Sequence, residues 1–196
     1  LRSLLAFFFL IIYLKLTNKK IDFSKEKMGI SIVAGIVFAL EFLLLFLALD
    51  FTSVARNSIL YYSMPIWITV FGHFLLPNER LNFFKSVGLI SAFAGVSLAI
   101  SNNDETFSIH NWQLIGDFLA IMAAILWAMI IYLVKGTSFK EVPPEMQLVW
   151  MVMVSAPILL IASLFFGDLV RDFQMVHIWG LLFQSIVVVA GGFLFW

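Results

Sequence analysis

The sequence predicts an all-α fold, a polytopic bundle of transmembrane helices, and three observations carry that expectation. Of 196 residues, 62% are hydrophobic and only 12% charged, too little polar surface to cover a water-soluble domain of this length. The apolar residues fall into runs of roughly 18–22, the length a helix rising about 1.5 Å per residue needs to cross about 30 Å of hydrocarbon. These runs are continuously apolar and do not alternate, which removes the β-barrel alternative. Composition also excludes chemistries. There are no cysteines, so disulfides, thiol catalysis and thiolate metal sites drop out, and a net charge of zero leaves no footprint for nucleic acid.

The first apolar run, about residues 1–16, is partial. It could mimic a signal peptide, but it has no small-residue cleavage site and more spans follow. The lysine-rich connector TNKKIDFSKEK leads to a second span, about 28–49. The polar turn DFTSVAR joins it to a third, about 55–76. PNERLNFFK separates the third from a fourth, about 86–101. SNNDETFSIHNW, without a lysine or arginine, precedes the fifth, about 114–134. The sixth covers about 146–166 and the seventh about 176–196. Both ends of the sequence fall inside apolar runs, so the expectation is a fragment truncated at both ends.

Charge assigns the two sides. The connectors after the first, third and fifth spans hold Lys15, Lys19, Lys20, Lys25, Lys27, Arg80, Lys85, Lys135 and Lys140, against Arg2, Arg56 and Arg171 opposite. Nine against three places the lysine-rich side in the cytoplasm. An internal repeat has the same logic. MGISIVAGIVFALEFLLL (28–45) lies over WGLLFQSIVVVAGGFLFW (179–196) without a gap, pairing Gly29 with Gly180, Ala39 with Ala190, Phe42 with Phe193 and Leu43 with Leu194. The two copies are an odd number of crossings apart, so they run in opposite directions, as inverted repeats of transporters do.

Several motifs then fall in a recognisable order. An "AL-x-x-TS-x-A" turn spans Ala48 to Ala55, Pro65 lies inside the next helix, and "L-x-x-ER" covers Leu76 to Arg80. "G-x-x-x-A-x-x-G" covers Gly88 to Gly95, and "GD…AA-x-x-W-A" is matched by Gly116, Asp117, Ala123, Ala124, Trp127 and Ala128. In this order they resemble the drug/metabolite transporter superfamily in its EamA-type branch, over essentially the whole chain. The resemblance implies ten helices in two inverted five-helix units with cytoplasmic termini, the visible spans being the second to the eighth. Residues 1–102 would be a first repeat lacking its first helix, and 103–196 a second lacking its last two. It further implies a secondary active transporter of the plasma (inner) membrane that exports amino acids, related metabolites or drugs by alternating access. The expected partners are a small-molecule substrate, the lipid bilayer and protons as coupling ion. A homodimer is an admissible assembly, and no cofactor or metal is expected.

Glu41 is the first candidate for chemistry. It lies about 13 Å along the helix from Asp50, inside the hydrocarbon, where a charged carboxylate costs roughly 2.5–3.5 kcal/mol. Either it serves as a proton-coupling or substrate-amine site, or it is a neutral, hydrogen-bonded residue that fixes packing. Its repeat counterpart is Gly192, so the role belongs to one half only. On the third span Ser58, Tyr62, Pro65, Thr69 and His73 share one face. Pro65 frees the carbonyl near Tyr61 and kinks the helix, which makes Tyr62 a candidate for a cavity wall, or else a packing contact; His73 reads as interfacial. On the fifth span Gly116, Ala120, Ala124 and Ala128 form a line that lets another helix approach closely. Trp127 beside it either stacks on a cationic or aromatic substrate or fills space. Gly88, Ala92 and Gly95 predict a second close contact. On the seventh span Gln184 aligns with His177 and Gly191 as a candidate hydrogen-bonding residue. Asp50 and Arg56 flank the outer turn, where an interfacial salt bridge or lipid contact outweighs attraction of anions. Glu79 and Arg80 close a cytoplasmic turn, and Met146, Met151 and Met153 read as adaptable packing.

Rival classes lack their residues. A seven-span retinal protein needs a lysine deep in its last helix, and the seventh span has none; a receptor-like or scaffolding protein is the remaining alternative. An intramembrane enzyme needs a paired Asp, a Ser–His couple or a metal cluster, so no enzyme is expected.

Overall fold

The computed structural model describes residues 2–17, 25–75, 82–101, 111–166 and 175–191. The described helices are α1 (Arg2–Leu16), α2 (Lys25–Ala48), α3 (Val54–Tyr61), α4 (Met64–Leu75), α5 (Phe83–Ser101), α6 (Asn111–Gly136), α7 (Pro144–Phe166) and α8 (Met175–Phe183). A short 3-10 turn, Ser138–Glu141, links α6 to α7, and α8 runs into a π-helical segment, Gln184–Gly191. No strand occurs among the described residues, as the unbroken apolar runs require.

Four stretches are long and apolar enough to cross a membrane: Lys27–Ala48, Val54–Leu75, Trp112–Gly136 and Pro144–Phe165. Ser3–Leu16 and Phe83–Gly95 are shorter apolar helices. Large apolar side chains such as Phe46, Ile161 and Phe165 stand exposed along them, as lipid-facing surfaces do where every backbone group is already bonded within its helix. The chain is a multi-pass integral membrane protein.

The third span, expected as one kinked helix, is two. The amide of Tyr62 still reaches Ser58 at 2.9 Å, but that of Ser63 reaches only to Leu60 at 3.1 Å, and α4 restarts at Met64. Pro65 has no amide proton for the carbonyl of Tyr61 and its ring crowds that carbonyl, so the α-ladder stops one turn before it. Pro157, not singled out from the sequence, is carried inside α7 without a break.

Packing divides the chain into two compact units, Leu1–Ala39 with Ser138–Trp196, and Leu40–Thr137. In the first, Ala6, Leu10 and Leu14, spaced by four on α1, are buried, and α1 packs on α7 and on the π-helical segment. Gly35 of α2 meets α7 so closely that a Cβ there would lie 2.5 Å from that of Val154. Met146 and Met151 are buried among the residues of α7, the packing role read for them. Pro144 opens α7, where a missing amide proton costs nothing. Gln147 spends both amide hydrogens on the preceding turn, donating to the carbonyls of Phe139 at 2.9 Å and Val142 at 2.8 Å. Lys27 pairs with Glu141 at 3.9 Å, which brings the start of α2 and the turn after α6 to one side, as the charge bias requires.

In the second unit α3 and α4 both pack on α6. The expected small-residue line is the reason: Gly116, Ala120, Ala124 and Ala128 are all buried, and Ala120 packs with Ala48 and Leu60. The second small-residue line behaves differently. Gly88 and Gly95 on α5 have nothing within 4 Å of a would-be Cβ, and Ala92 is exposed, so the close contact expected there is absent among the described residues. Small residues permit a close approach; they do not supply the partner. Leu76, Glu79 and Arg80 lie outside the described residues, as do Arg171, Gly192 and the end of the seventh span. Over the repeat, α2 is regular α-helix whereas the later copy passes into the π-helical segment.

Candidate functional site

Glu41 is fully buried, on α2 two turns before its end, and the hydroxyl of Tyr61 donates to its Oε1 at 2.8 Å. Tyr61 is the last residue of α3, so the break that Pro65 imposes sets the position of this hydroxyl. One turn earlier on the same face of α3, Asn57 is 3% exposed and its Nδ2 donates to the carbonyl of Leu45 at 3.3 Å. Leu45 in turn lies one turn after Glu41. The two helices therefore face each other through two rungs, Leu45 with Asn57 and Glu41 with Tyr61.

Of the other expected site residues, Tyr62 lies at the surface, 67% exposed, and its ring meets Tyr61 at a centroid distance of 6.3 Å. Its stripe satisfies itself: Ser58 donates to the carbonyl of Val54 and Thr69 to that of Pro65, both at 2.7 Å. Hydroxyls bonded one turn back need no partner across a cavity, so polarity alone did not mark the inward face. Trp127 is half-buried on α6, and Gln184 is exposed at the start of the π-helical segment. Sequence reasoning passed over Tyr61 and Asn57. An uncharged amide inside an apolar run was a usable signal for Asn57; Tyr61 looked like one more aromatic.

The turn between α2 and α3 is held by the motif residues. Ser53 caps α3, its Oγ accepting from the amide of Arg56 at 3.3 Å. Arg56 grips Asp117 of α6 with two nitrogens, Nε lying 2.8 Å from Oδ1 and Nη2 2.5 Å from Oδ2. Thr52 donates to the same Oδ1 at 3.3 Å. Both charged side chains are 13% exposed, so each needs the other: losing one partner strands a largely desolvated charge. Gly116, next to Asp117, lets this turn sit against α6, since a Cβ there would lie 2.9 Å from that of Thr52. The salt bridge expected for Arg56 thus exists, with Asp117 of another helix as a partner. The "TS" and "GD" motifs are two halves of one clasp.

Comparison with known proteins fits this arrangement. The EamA-like transporter family matches residues 1–101. The chain belongs to that family. The uncharacterized transporter YoaV of Bacillus subtilis is 28% identical over 190 residues, 96% of this chain and 63% of its own. An uncharacterized transporter of Archaeoglobus fulgidus is 30% identical over 115 residues, 59% of this chain and 38% of its own. One of Buchnera aphidicola is 26% identical over 133 residues, 67% of this chain and 43% of its own. The chain spans less than two thirds of the length of these relatives. No solved structure matches it. The matched family is one of transporters, which weighs against the receptor-like rival.

Proposed function

We propose that this chain is part of a secondary active exporter of amino acids or related small metabolites, coupled to protons. Two inverted repeats, residues 1–102 and 103–196 with the helices that complete them, would rock against each other in alternating access. The observation that carries the reading is a carboxylate, Glu41, buried within a membrane span of an EamA-like chain and bonded to a tyrosine hydroxyl. An acid in that position is costly unless it serves a function or a packing need, and it can take up and release a proton. Trp127, Tyr62 and Gln184 are proposed as further pathway residues. The test uses the full-length protein in proteoliposomes under an imposed pH gradient. Glu41→Gln is expected to abolish proton-driven transport while the protein still inserts and purifies as the unmodified form does. Unchanged coupling in that variant removes Glu41 from the mechanism.

A further inference from the structure

The amide of Asn57 has two ends, and the structure accounts for one. Nδ2 donates to the carbonyl of Leu45, which also fixes the orientation of the group, because the flipped amide would set two acceptors against each other. Oδ1 is then a buried acceptor that receives no hydrogen bond among the described residues, on a side chain 97% removed from solvent by its 3% exposure. A buried amide oxygen left without a donor forfeits roughly 1–3 kcal/mol. Its surroundings indicate what would supply the donor. Asn57 and Tyr61 are four residues apart on α3, Leu45 and Glu41 four apart on α2, and the two hydrogen bonds join them rung by rung. Asn57 and Glu41 therefore stand on neighbouring rungs of one helix pair, and an ammonium nitrogen, with three N–H donors, can give a hydrogen bond to each.

We infer that Asn57 is a substrate-binding residue and that Oδ1, together with the Glu41 carboxylate, receives the N–H groups of a protonated primary amine. An ammonium group presents three donors and no acceptor, and this pair of helices offers it an uncommitted neutral acceptor beside an acid. The inference rests on the reading of Glu41 as a site of transport and adds to it a substrate class and a second ligand-holding residue. A metal ion fits less well, since no group of three or more His, Asp or Glu side chains able to hold one occurs among the described residues.

The test is equilibrium binding of radiolabelled methylammonium to the purified full-length protein. Unlabelled methylammonium is expected to displace the label, whereas tetramethylammonium, with the same charge and no N–H, is expected not to. Asn57→Leu and Glu41→Gln are each expected to weaken binding about tenfold or more, the order for one hydrogen bond to a charged group. Asn57→Asp, which keeps an acceptor and loses the donor to Leu45, is expected to stay within about threefold of the unmodified protein, well short of that loss. If Asn57→Asp fails as Asn57→Leu does, Asn57 only ties α3 to α2 and the inference falls. If Glu41→Gln loses binding and Asn57→Leu does not, the site at Glu41 stands without Asn57. Equal displacement by tetramethylammonium in the unmodified protein overturns N–H recognition with no variant needed. Absence of methylammonium binding overturns the amine class, while the proton-driven assay of Glu41→Gln decides the transport reading separately.

Discussion

Two adjacent tyrosines stand at the end of α3, Tyr61 as its last residue and Tyr62 as its C-cap, and the first of them meets an acid. Tyr61 donates to Glu41, while Tyr62 is 67% exposed. A hydrogen bond to a carboxylate is among the stronger kinds, yet side-chain bonds within membrane proteins measure modestly because the unfolded chain in the bilayer also finds partners. Tyr61→Phe is therefore expected to lower the stability of the full-length protein by about 1–2 kcal/mol. Tyr62→Phe should stay within about 0.5 kcal/mol. Thermal unfolding of the two variants side by side checks this, and equal losses would mean that the bond to Glu41 is not what matters. The contrast also marks how far a sequence reads at this scale. Glu41 was legible because an acid in an apolar run has no other explanation than function or packing. Tyr61 was not, because which of two neighbouring rings faces inward depends on where Pro65 breaks the helix, and that is settled by backbone hydrogen bonds.

At the scale of elements, one sequence pattern had two outcomes. The Gly116 line on α6 is buried against the turn at 51–52 and against α3 and α4, whereas the Gly88–Gly95 line on α5 faces open space. Spacing by four is visible in sequence; the neighbour that uses it is a tertiary choice. A methyl added at Gly116 would lie 2.9 Å from Thr52 Cβ and 3.0 Å from both Phe51 Cβ and the Thr52 amide nitrogen, and backbone cannot yield as a flexible side chain can. Gly116→Ala is expected to cost about 1–3 kcal/mol by overpacking and to loosen the Arg56–Asp117 clasp beside it. Gly95→Ala meets nothing and gains helix propensity, so it should be neutral or stabilising by up to about 1 kcal/mol. Matching losses at the two glycines would show that α5 is as closely packed as α6. The motifs at 52–56 and 116–117 were legible separately, but that Thr52 and Arg56 close on Asp117 was not, since they lie more than sixty residues apart.

For the whole molecule, topology follows from charge and from two ion pairs that belong to opposite ends of α2. Lys27, near its start, pairs with Glu141 beyond the end of α6; Arg56, past its end, pairs with Asp117 near the start of α6. With 24 residues, α2 is about 36 Å long, enough to cross the hydrocarbon, so a helix of this length is expected to have its ends on different faces of the bilayer. The positive-inside rule predicts that the lysine-rich face is the cytoplasmic one. The lack of cysteine in this sequence makes it a ready background for mapping. In the full-length protein, with any cysteines elsewhere replaced, Asp50→Cys should react with a membrane-impermeant maleimide in intact cells. Lys140→Cys should react only after permeabilisation. Both positions are exposed, so burial does not confuse the result. The reverse pattern would invert the orientation and put the Arg56–Asp117 clasp on the cytoplasmic face. Labelling of both from one face would break the antiparallel course of α2 and α6. The inverted-repeat reading needs residues 28–45 and 179–196 to lie an odd number of crossings apart, and the three crossings between Asp50 and Lys140 are the part of that count this labelling tests.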